Sequence, residues 1–347
     1  MRMLTHRIPA VLIPLAILIG VLGTVLLLRN TNWLDAMRSH AGNEMAKPTA
    51  IVCTYNLVRR SGMPHVKPLL YAEQACESPR FRALKLDIDA LVNEFRAAGV
   101  LNSASVYLRD TQRGEWMSYN DAETYDPGSM LKVPTLMAWL DMAEADPGLL
   151  ERRYTLAAGM PSGNRAPVFP GATIEEGKPY TVSELLTYMV VHSDNRATGL
   201  LNRNVDLERM LKVFSELGLE RPAVDRPVHP MTARDFSVFM KALYNATYLS
   251  PAYSEMAMEM LTRSTFSEGL RAGLPADLEM AHKFGEGGDQ RLRQLHETAI
   301  LYLGDTPYLL TVMTKGRDLK ELTGFLEQTA RLVHGHLAQG GVLRSPA

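Results

Sequence analysis

The sequence predicts an α/β protein of the α+β type, in which an antiparallel sheet is flanked by N- and C-terminal helices and carries an inserted all-α subdomain. The first observation is a helical apolar period from Leu84 that leads into a strand pair. The second is a stretch of about 146–266 that has only helix and loop patterns. The third is the return of three strand-like segments before a last amphipathic helix. This order favours two packed parts with a cleft between them.

The chain opens with an apolar segment, residues 8–28, that contains no charged side chain. Its length matches the roughly 20 residues that cross a bilayer as a helix. Arg2 and Arg7 precede it, and a basic flank favours a cytoplasmic N-terminus. A cleaved secretory signal is the alternative, but residues 29–33 offer no small-x-small cleavage site. We therefore expect residues 1–29 to form a cytoplasmic N-terminus and a transmembrane signal anchor, with the folded domain membrane-anchored and extracytoplasmic.

Composition excludes one class of partner. The 347 residues carry a net charge of −1 with acids and bases interspersed, and no stripe of basic and aromatic residues is present. A nucleic-acid-binding protein would show such a basic surface. We expect no nucleic-acid partner.

Residues 30–82 mix polar residues, prolines and glycine without a sustained period, which predicts a stalk and a lead-in segment. The two cysteines, Cys53 and Cys76, both lie there. In an exported protein such a pair predicts a disulfide, and two buried free thiols are the alternative. No histidine has ligand spacing to them, so we expect no metal site and no cofactor.

The folded domain is predicted to span residues 83–340. Its first helix ends at Gly99, and its last runs from Asp318 to about Leu337. The other predicted helices are one that starts at Ser129 and four in the helical block, Thr181–Val191, Val205–Leu217, Thr232–Tyr248 and Ala252–Arg263. The predicted strands are Ser105–Arg109, Glu115–Tyr119, Glu279–Phe284, Glu297–Leu303 and Tyr308–Thr314.

Ser129 and Lys132 form the first chemical motif, a hydroxyl and an amine three residues apart at the predicted start of an apolar helix. Positions i and i+3 share a helix face, so the amine can take the proton of the hydroxyl. The free N–H groups of a helix start favour an anion on an attacked carbonyl. Pro134 is unfavourable inside this helix and predicts a tight first turn. A helix cap followed by a solvated lysine is the alternative.

The second motif is Ser193-Asp194-Asn195, directly after a predicted helix. A loop there can bring a hydroxyl and a carboxamide into the cleft. The hydroxyl can pass a proton to a departing nitrogen, and the amide of Asn195 can bind the peptide group of a substrate. An ordinary helix cap is the alternative.

The third motif begins at Lys283, near the end of a predicted strand, and continues through Phe284, Gly285 and Glu286. The lysine is predicted to point into the cleft and to bind a substrate carboxylate. The glycines permit a close approach of another backbone. A phosphate-binding loop would need a different glycine spacing and a following helix, so we discard it.

Together the three motifs resemble those of the class A β-lactamase and penicillin-binding protein superfamily of serine hydrolases, whose motifs are Ser-x-x-Lys, Ser-Asp-Asn and Lys-Thr-Gly in that order. The resemblance covers about Leu84 to Leu337. It implies that Ser129 is the nucleophile and Lys132 its base. It also implies that Ser193 shuttles a proton, and that the N–H groups of Ser129 and Glu286 form an oxyanion hole. Asn195, Lys283, Phe284 and Gly285 are then the substrate-binding residues.

The sequence departs from the family pattern at two places. Phe284 replaces the threonine or serine whose hydroxyl helps to bind the carboxylate of a β-lactam. The Glu-x-x-Leu-Asn loop, whose glutamate activates the deacylating water in class A enzymes, is absent between Asn195 and Lys283. Glu220, Asp225 and His229 are the candidate replacements, and surface roles are the alternative for each.

We therefore expect a serine hydrolase that forms an acyl-enzyme on Ser129 with a β-lactam or a cell-wall-like peptide amide and deacylates slowly. A D-alanyl-D-alanine carboxypeptidase or transpeptidase is the second hypothesis. A non-catalytic domain that binds peptidoglycan through the same cleft is the third. The intact Ser129, Lys132, Ser193 and Asn195 argue against the third.

Overall fold

The structure, a computed structural model, describes residues 53–159, 167–223, 226 and 228–338. The predicted anchor, residues 8–28, lies outside the described residues. Within the described ranges, no helix combines the length and the apolar character that a bilayer crossing requires.

The described elements are nine strands and eight α-helices. In order they are β1 (Tyr55–Arg59), β2 (Leu69–Gln74), α1 (Arg82–Ala97), β3 (Leu101–Asp110), β4 (Trp116–Tyr119), α2 (Lys132–Ala145), β5 (Arg153–Thr155), β6 (Pro179–Thr181), α3 (Val182–Val191), α4 (Asn195–Asn204), α5 (Leu207–Glu216), α6 (Ala233–Tyr244), α7 (Pro251–Thr262), β7 (Met280–Gly288), β8 (Arg293–Leu301), β9 (Tyr308–Gly316) and α8 (Leu319–Leu337).

Five strands form the central antiparallel sheet, in the order β4-β3-β9-β8-β7. The prediction of an antiparallel sheet with flanking terminal helices is confirmed. Since β7 lies at one edge, only one side of it is paired within the sheet. The other side is free to meet the segment that carries Ser129.

The terminal helices α1 and α8 cover one face of the sheet. Ile88 of α1 and Phe325 of α8 are fully buried there, in one core with Leu108 and Leu310 of the sheet. The ring of Phe95 meets Phe325 edge-on, with centroids 5.4 Å apart. This packing joins the two ends of the domain.

Helices α2 to α7 belong to the second core. Trp139 of α2 and Phe236 of α6 are fully buried in it, together with Ile300 and Leu309 of the sheet. Helix α2 is apolar almost all round, which is the pattern of a central, buried helix. The residues that follow Ser129 are thereby fixed in the interior.

The inserted block is not all-helical, so that prediction was wrong. Strands β5 and β6 pair through Arg153–Thr181, Tyr154–Tyr180 and Thr155–Pro179. Three residues are too few to display a period of two, so neither strand is visible in the sequence. Helix α4 was also not predicted, because Asn195–Asn204 has few apolar residues.

The lead-in segment contains a hairpin, β1 and β2, that was likewise not predicted. It is fastened to the helical side of the domain. Arg60 bonds to Asp141 and Glu216, and the carboxylate of Glu73 accepts from Lys241 at 2.8 Å and from the Tyr107 hydroxyl at 2.7 Å. A disulfide joins Cys53 to Cys76, whose Cα atoms are 5.8 Å apart. The described part of the lead-in is therefore bonded to the domain that follows it.

Candidate active site

Ser129 lies in a 3₁₀ turn, Gly128–Leu131, that immediately precedes α2. The serine therefore stands just before the helix, and Lys132 is the first helical residue. The Lys132 N–H bonds back to the Ser129 carbonyl. In a 3₁₀ turn the side chains at i and i+3 eclipse, which brings the hydroxyl and the amine to the same side. Pro134 is tolerated because it falls in the first turn of α2, where its missing N–H costs nothing.

This turn packs directly against the free edge of β7. A side chain at Gly128 would collide with the carbonyl of Glu286, and one at Gly285 would collide with the carbonyl of Pro127. Gly128 also has a φ of +53°, which favours glycine. Both glycines are thus required for the backbone contact that places Ser129 beside β7.

The chain before the turn is tied to the sheet through Asp126. His296 donates from Nε2 to the Asp126 carbonyl at 2.9 Å, while its Nδ1 accepts the Thr314 N–H. Burial lowers the pKa of His296 to about 3, so the ring is neutral and can accept at one nitrogen and donate at the other. The side chain of Gln294 accepts the Asp126 N–H at 2.9 Å. Nothing in the sequence indicated this role of His296.

Lys132 is buried, and its amine has three oxygen partners. Nζ lies 2.9 Å from Asn195 Oδ1, 3.1 Å from Ser193 Oγ and 2.5 Å from the Ser193 carbonyl. Burial lowers its pKa to about 7, against the opposing charges of Asp194 and Glu286. Near neutral pH a large part of this amine is therefore unprotonated and able to accept a proton.

Ser193 stands in the short connection between α3 and α4 with a φ of +55°. This left-handed conformation is unusual for a residue other than glycine and recurs at functional sites. Asp194 stabilises it. Its carboxylate caps α4 through the N–H groups of Arg196 and Ala197, and it also accepts from the Thr173 hydroxyl and the Ile174 N–H. The motif is therefore a helix cap and also presents the Ser193 hydroxyl to the lysines.

Lys283 is fully buried, and it lies in the middle of β7 because that strand continues past the predicted end at Phe284 to Gly288. Its Nζ donates to Ser193 Oγ and to the Phe284 carbonyl, both at 2.9 Å. Burial, followed by the charge of Lys132, lowers its pKa well below the ordinary value. The Ser193 hydroxyl thus lies between two amines, Lys132 and Lys283.

The structure brings Lys132, Ser193, Asn195 and Lys283 into one cluster beside the Ser129 turn. The Ser129 side chain itself is half-buried and forms no hydrogen bond with another residue of the described ranges. A partly accessible hydroxyl and a largely unprotonated amine three residues apart in the chain are the groups that nucleophilic attack on a carbonyl requires. Catalytic hydrogen bonds often tighten only when substrate is bound.

The family model described as the β-lactamase enzyme family matches residues 83–337. The chain belongs to this family. No curated protein sequence matches it significantly. Solved structures of the same fold do match. These solved structures share the fold described above.

Three of these structures illustrate the similarity. A mutant of PBP-A, solved as its acyl-enzyme complex with penicillin G, is 20% identical with a TM-score of 0.61, over 74% of this chain and 97% of its own. A β-lactamase from Xanthomonas campestris pv. campestris is 21% identical, with a TM-score of 0.61, over 73% of this chain and 98% of its own. A class A β-lactamase from Mycobacterium abscessus is 20% identical, with a TM-score of 0.61, over 74% of this chain and 100% of its own.

In this β-lactamase-family chain, Phe284 belongs to a cluster of three rings. It stacks on Phe266 with centroids 4.1 Å apart and meets Phe169 edge-on at 6.1 Å. The cluster borders a cavity of about 500 Å³ that Phe169, Phe266 and Phe284 line together with His192 and Lys320. The position that the resemblance assigns to a hydroxyl therefore carries an apolar ring.

Glu286 has a side-chain role that sequence reasoning missed. Its carboxylate accepts the N–H of Val168 at 3.0 and 3.1 Å and that of Phe169 at 3.1 Å. Its backbone contacts Gly128, next to Ser129. The sequence offers no signal for the first contact, because more than a hundred residues separate the partners.

The candidate replacements for the deacylation glutamate lie on the loop between α5 and α6. Glu220 is exposed, and Asp225 lies outside the described residues. His229 is half-buried, with its ring edge-on to Phe214 at 5.5 Å. Burial lowers its pKa. No hydrogen bond within the described ranges connects Glu220 or His229 to Ser129, Lys132 or Ser193.

The described residues contain no group of three or more histidine, cysteine or acidic side chains that could hold a metal ion.

Proposed function

We propose that the protein is a serine hydrolase that forms an acyl-enzyme on Ser129 with a β-lactam or a cell-wall-like peptide amide. The observation that carries this proposal is the buried amine of Lys132, three residues after Ser129, which lies 3.1 Å from the Ser193 hydroxyl and whose pKa burial lowers to about 7. A lysine that served only as a surface residue would stay charged and solvated.

In the acylation step, Ser129 Oγ attacks the carbonyl carbon of the amide while the unprotonated Lys132 amine takes the hydroxyl proton. The C–N bond then breaks, and the proton passes through Ser193 Oγ to the departing nitrogen. The backbone N–H groups of Ser129 and Glu286, at the junction of the turn and β7, are the proposed donors to the developing oxyanion. Asn195 orients Lys132 through its Oδ1.

Hydrolysis then requires an activated water at the ester carbon. The chain lacks the family's glutamate loop, and the exposed Glu220 and half-buried His229 have no described contact with the cluster. We therefore propose that deacylation is slow. The second candidate is a D-alanyl-D-alanine carboxypeptidase or transpeptidase. The same feature favours its transpeptidase form, because a transpeptidase passes the acyl group to an amine instead of water.

A fluorescent penicillin tests the proposal. The full-length protein should become covalently labelled, and Ser129→Ala should remain unlabelled while it unfolds at the same temperature. If the wild-type protein stays unlabelled by penicillins and does not cleave peptide amides, the protein is not an acylating enzyme, and the binding-domain hypothesis replaces this one.

A further inference from the structure

Phe284 and Glu286, which follow Lys283 in β7, form one wall of the candidate active site. This wall has an apolar ring and a carboxylate. In a strand, residues i and i+2 share a face, so Phe284 and Glu286 project from the same side of β7. Both side chains contact the segment 168–171. The ring of Phe284 meets Phe169, and the carboxylate of Glu286 accepts the N–H groups of Val168 and Phe169.

The segment 168–171 extends from this wall to the Ser193 loop. A side chain at Gly171 would collide with the carbonyl of His192, the residue before Ser193. The segment therefore closes one end of the cleft between β7 and the loop that carries Ser193. A substrate's leaving group, which must lie next to Ser193 to receive its proton, meets this wall.

The carboxylate of Glu286 at this wall repels an anionic leaving group. Glu286 is close enough to favour the charged forms of both Lys132 and Lys283. The Lys283 amine, the group expected to bind a substrate carboxylate, is fully buried and donates to Ser193 and to its neighbour's carbonyl. The side chain at 284 offers a ring instead of a hydroxyl. A carboxylate beside the scissile amide would meet repulsion and no free donor among these side chains.

We propose that the site selects amides whose leaving group is uncharged, with Glu286 and Phe284 as the specificity-determining residues. The substrate class is a lactam or peptide in which the carboxylate next to the scissile amide is esterified or continues as a further amide, as in an internal peptide bond. Such selectivity argues against the D-alanyl-D-alanine peptidase, whose leaving D-alanine carries a free carboxylate. The rings of Phe169, Phe266 and Phe284 accept the apolar part of that group. This inference rests on the proposed acylation of Ser129.

A matched pair of probes tests the inference on the wild-type protein. Penicillin G and its methyl ester share the reacting ring and differ in the charge of one group. We expect the methyl ester to acylate Ser129 at least about tenfold faster, after each rate is divided by the rate of alkaline hydrolysis of the same compound. Intact-mass spectrometry measures both rates. Equal rates, or faster acylation by the free acid, would overturn the inference while leaving the acylation itself intact.

Two variants assign the effect to residues. Glu286→Gln removes the charge and keeps an oxygen that can accept the Val168 N–H. It should shift the ratio of the two rates toward the free acid by about tenfold. Phe284→Thr introduces the missing hydroxyl and should shift the ratio in the same direction. Glu176→Gln removes the same charge from an exposed position and should leave the ratio unchanged.

The outcomes separate the two proposals. If neither probe labels Ser129, the proposed function fails and the specificity proposal fails with it. If the wild-type protein prefers the ester but Glu286→Gln and Phe284→Thr both keep that preference, these two residues do not determine it, and that assignment is overturned.

Discussion

At the residue scale, the account depends on an amine that burial keeps largely unprotonated. Lys132 has no solvent to stabilise its charge, and its partners are two oxygens of Ser193 and the amide oxygen of Asn195. These oxygens favour an amine with hydrogens to donate, while burial disfavours the ammonium. Because the pKa falls to about 7, the base form is available at neutral pH.

We predict that the rate of acylation rises with pH through a midpoint near 7. Below that pH the Lys132 amine is protonated and cannot accept the Ser129 proton, so activity is lost as the pH falls. Covalent labelling with a penicillin, quenched at set times between pH 5.5 and 9, measures the acylation rate. Lys132→Arg, which stays charged throughout, should slow acylation by about 100- to 10,000-fold. A flat profile across this range would contradict the role of Lys132, and Lys178→Arg at an exposed position is the control.

The residues that the sequence could identify are those whose partners are near in the chain or whose motif is specific. Ser129 and Lys132 are three apart, and Ser193 to Asn195 are consecutive. His296 and Glu286 could not be found in this way. Their roles arise from contacts with Asp126 and with residues 168 and 169, which only the folded sheet brings close. Lys283 was identified from its motif. Its complete burial was not predicted, because it depends on residues that are distant in the sequence.

At the element scale, the position of the Ser129 turn depends on its backbone contact with β7. We predict that Gly285→Ala slows acylation by about 100-fold. The new methyl group would collide with the Pro127 carbonyl and lie 2.9 Å from the Met130 nitrogen, so the Ser129 turn would be displaced. Acylation rate and thermal unfolding should be measured together. Gly335→Ala in α8, where a side chain meets nothing within 4 Å, should leave acylation unchanged and stabilise the fold by up to about 1 kcal/mol. If Gly285→Ala is acylated at the wild-type rate, the backbone contact between the Ser129 turn and β7 does not position the nucleophile.

Asp194 and Asp206 form a second matched pair, because each caps a helix through two backbone N–H groups. We predict that Asp194→Ala and Asp206→Ala both lower the free energy of unfolding, by about 1 kcal/mol for the lost cap. Asp194→Ala should cost more, since the Ile174 N–H loses its partner, and it alone should slow acylation by displacing Ser193. Urea denaturation and labelling measure the two effects. Equal acylation rates in the two variants would show that Asp194 acts only as a cap.

The elements found from sequence are the long, periodic ones. The terminal helices and the five sheet strands were predicted because their apolar positions repeat over many residues. The missed elements are short or polar. Strands β5 and β6 have three residues each, α4 has few apolar residues, and four of the five residues of β1 are exposed. The 3₁₀ turn at Ser129 was indicated only by Pro134.

At the scale of the whole molecule, we propose that residues 8–28 anchor the domain in a membrane and that the domain lies outside the cytoplasm. The apolar run and the basic flank at Arg2 and Arg7 support this proposal. We predict that alkaline phosphatase fused after Ala347 is active in bacteria and sediments with membranes. Deletion of residues 1–29 should abolish both properties. An inactive phosphatase with a fluorescent cytoplasmic reporter at the same site would contradict the export.

The central claim is that the protein acylates at Ser129 and releases the acyl group slowly. Intact-mass spectrometry of the full-length protein, mixed with an excess of penicillin and then separated from it, tests this claim most directly. General-base assistance contributes about 100- to 10,000-fold, so without it the adduct should persist for minutes to hours and map to the peptide that contains Ser129. Rapid consumption of the penicillin with no trapped adduct would contradict slow release. No adduct and no consumption would contradict acylation itself.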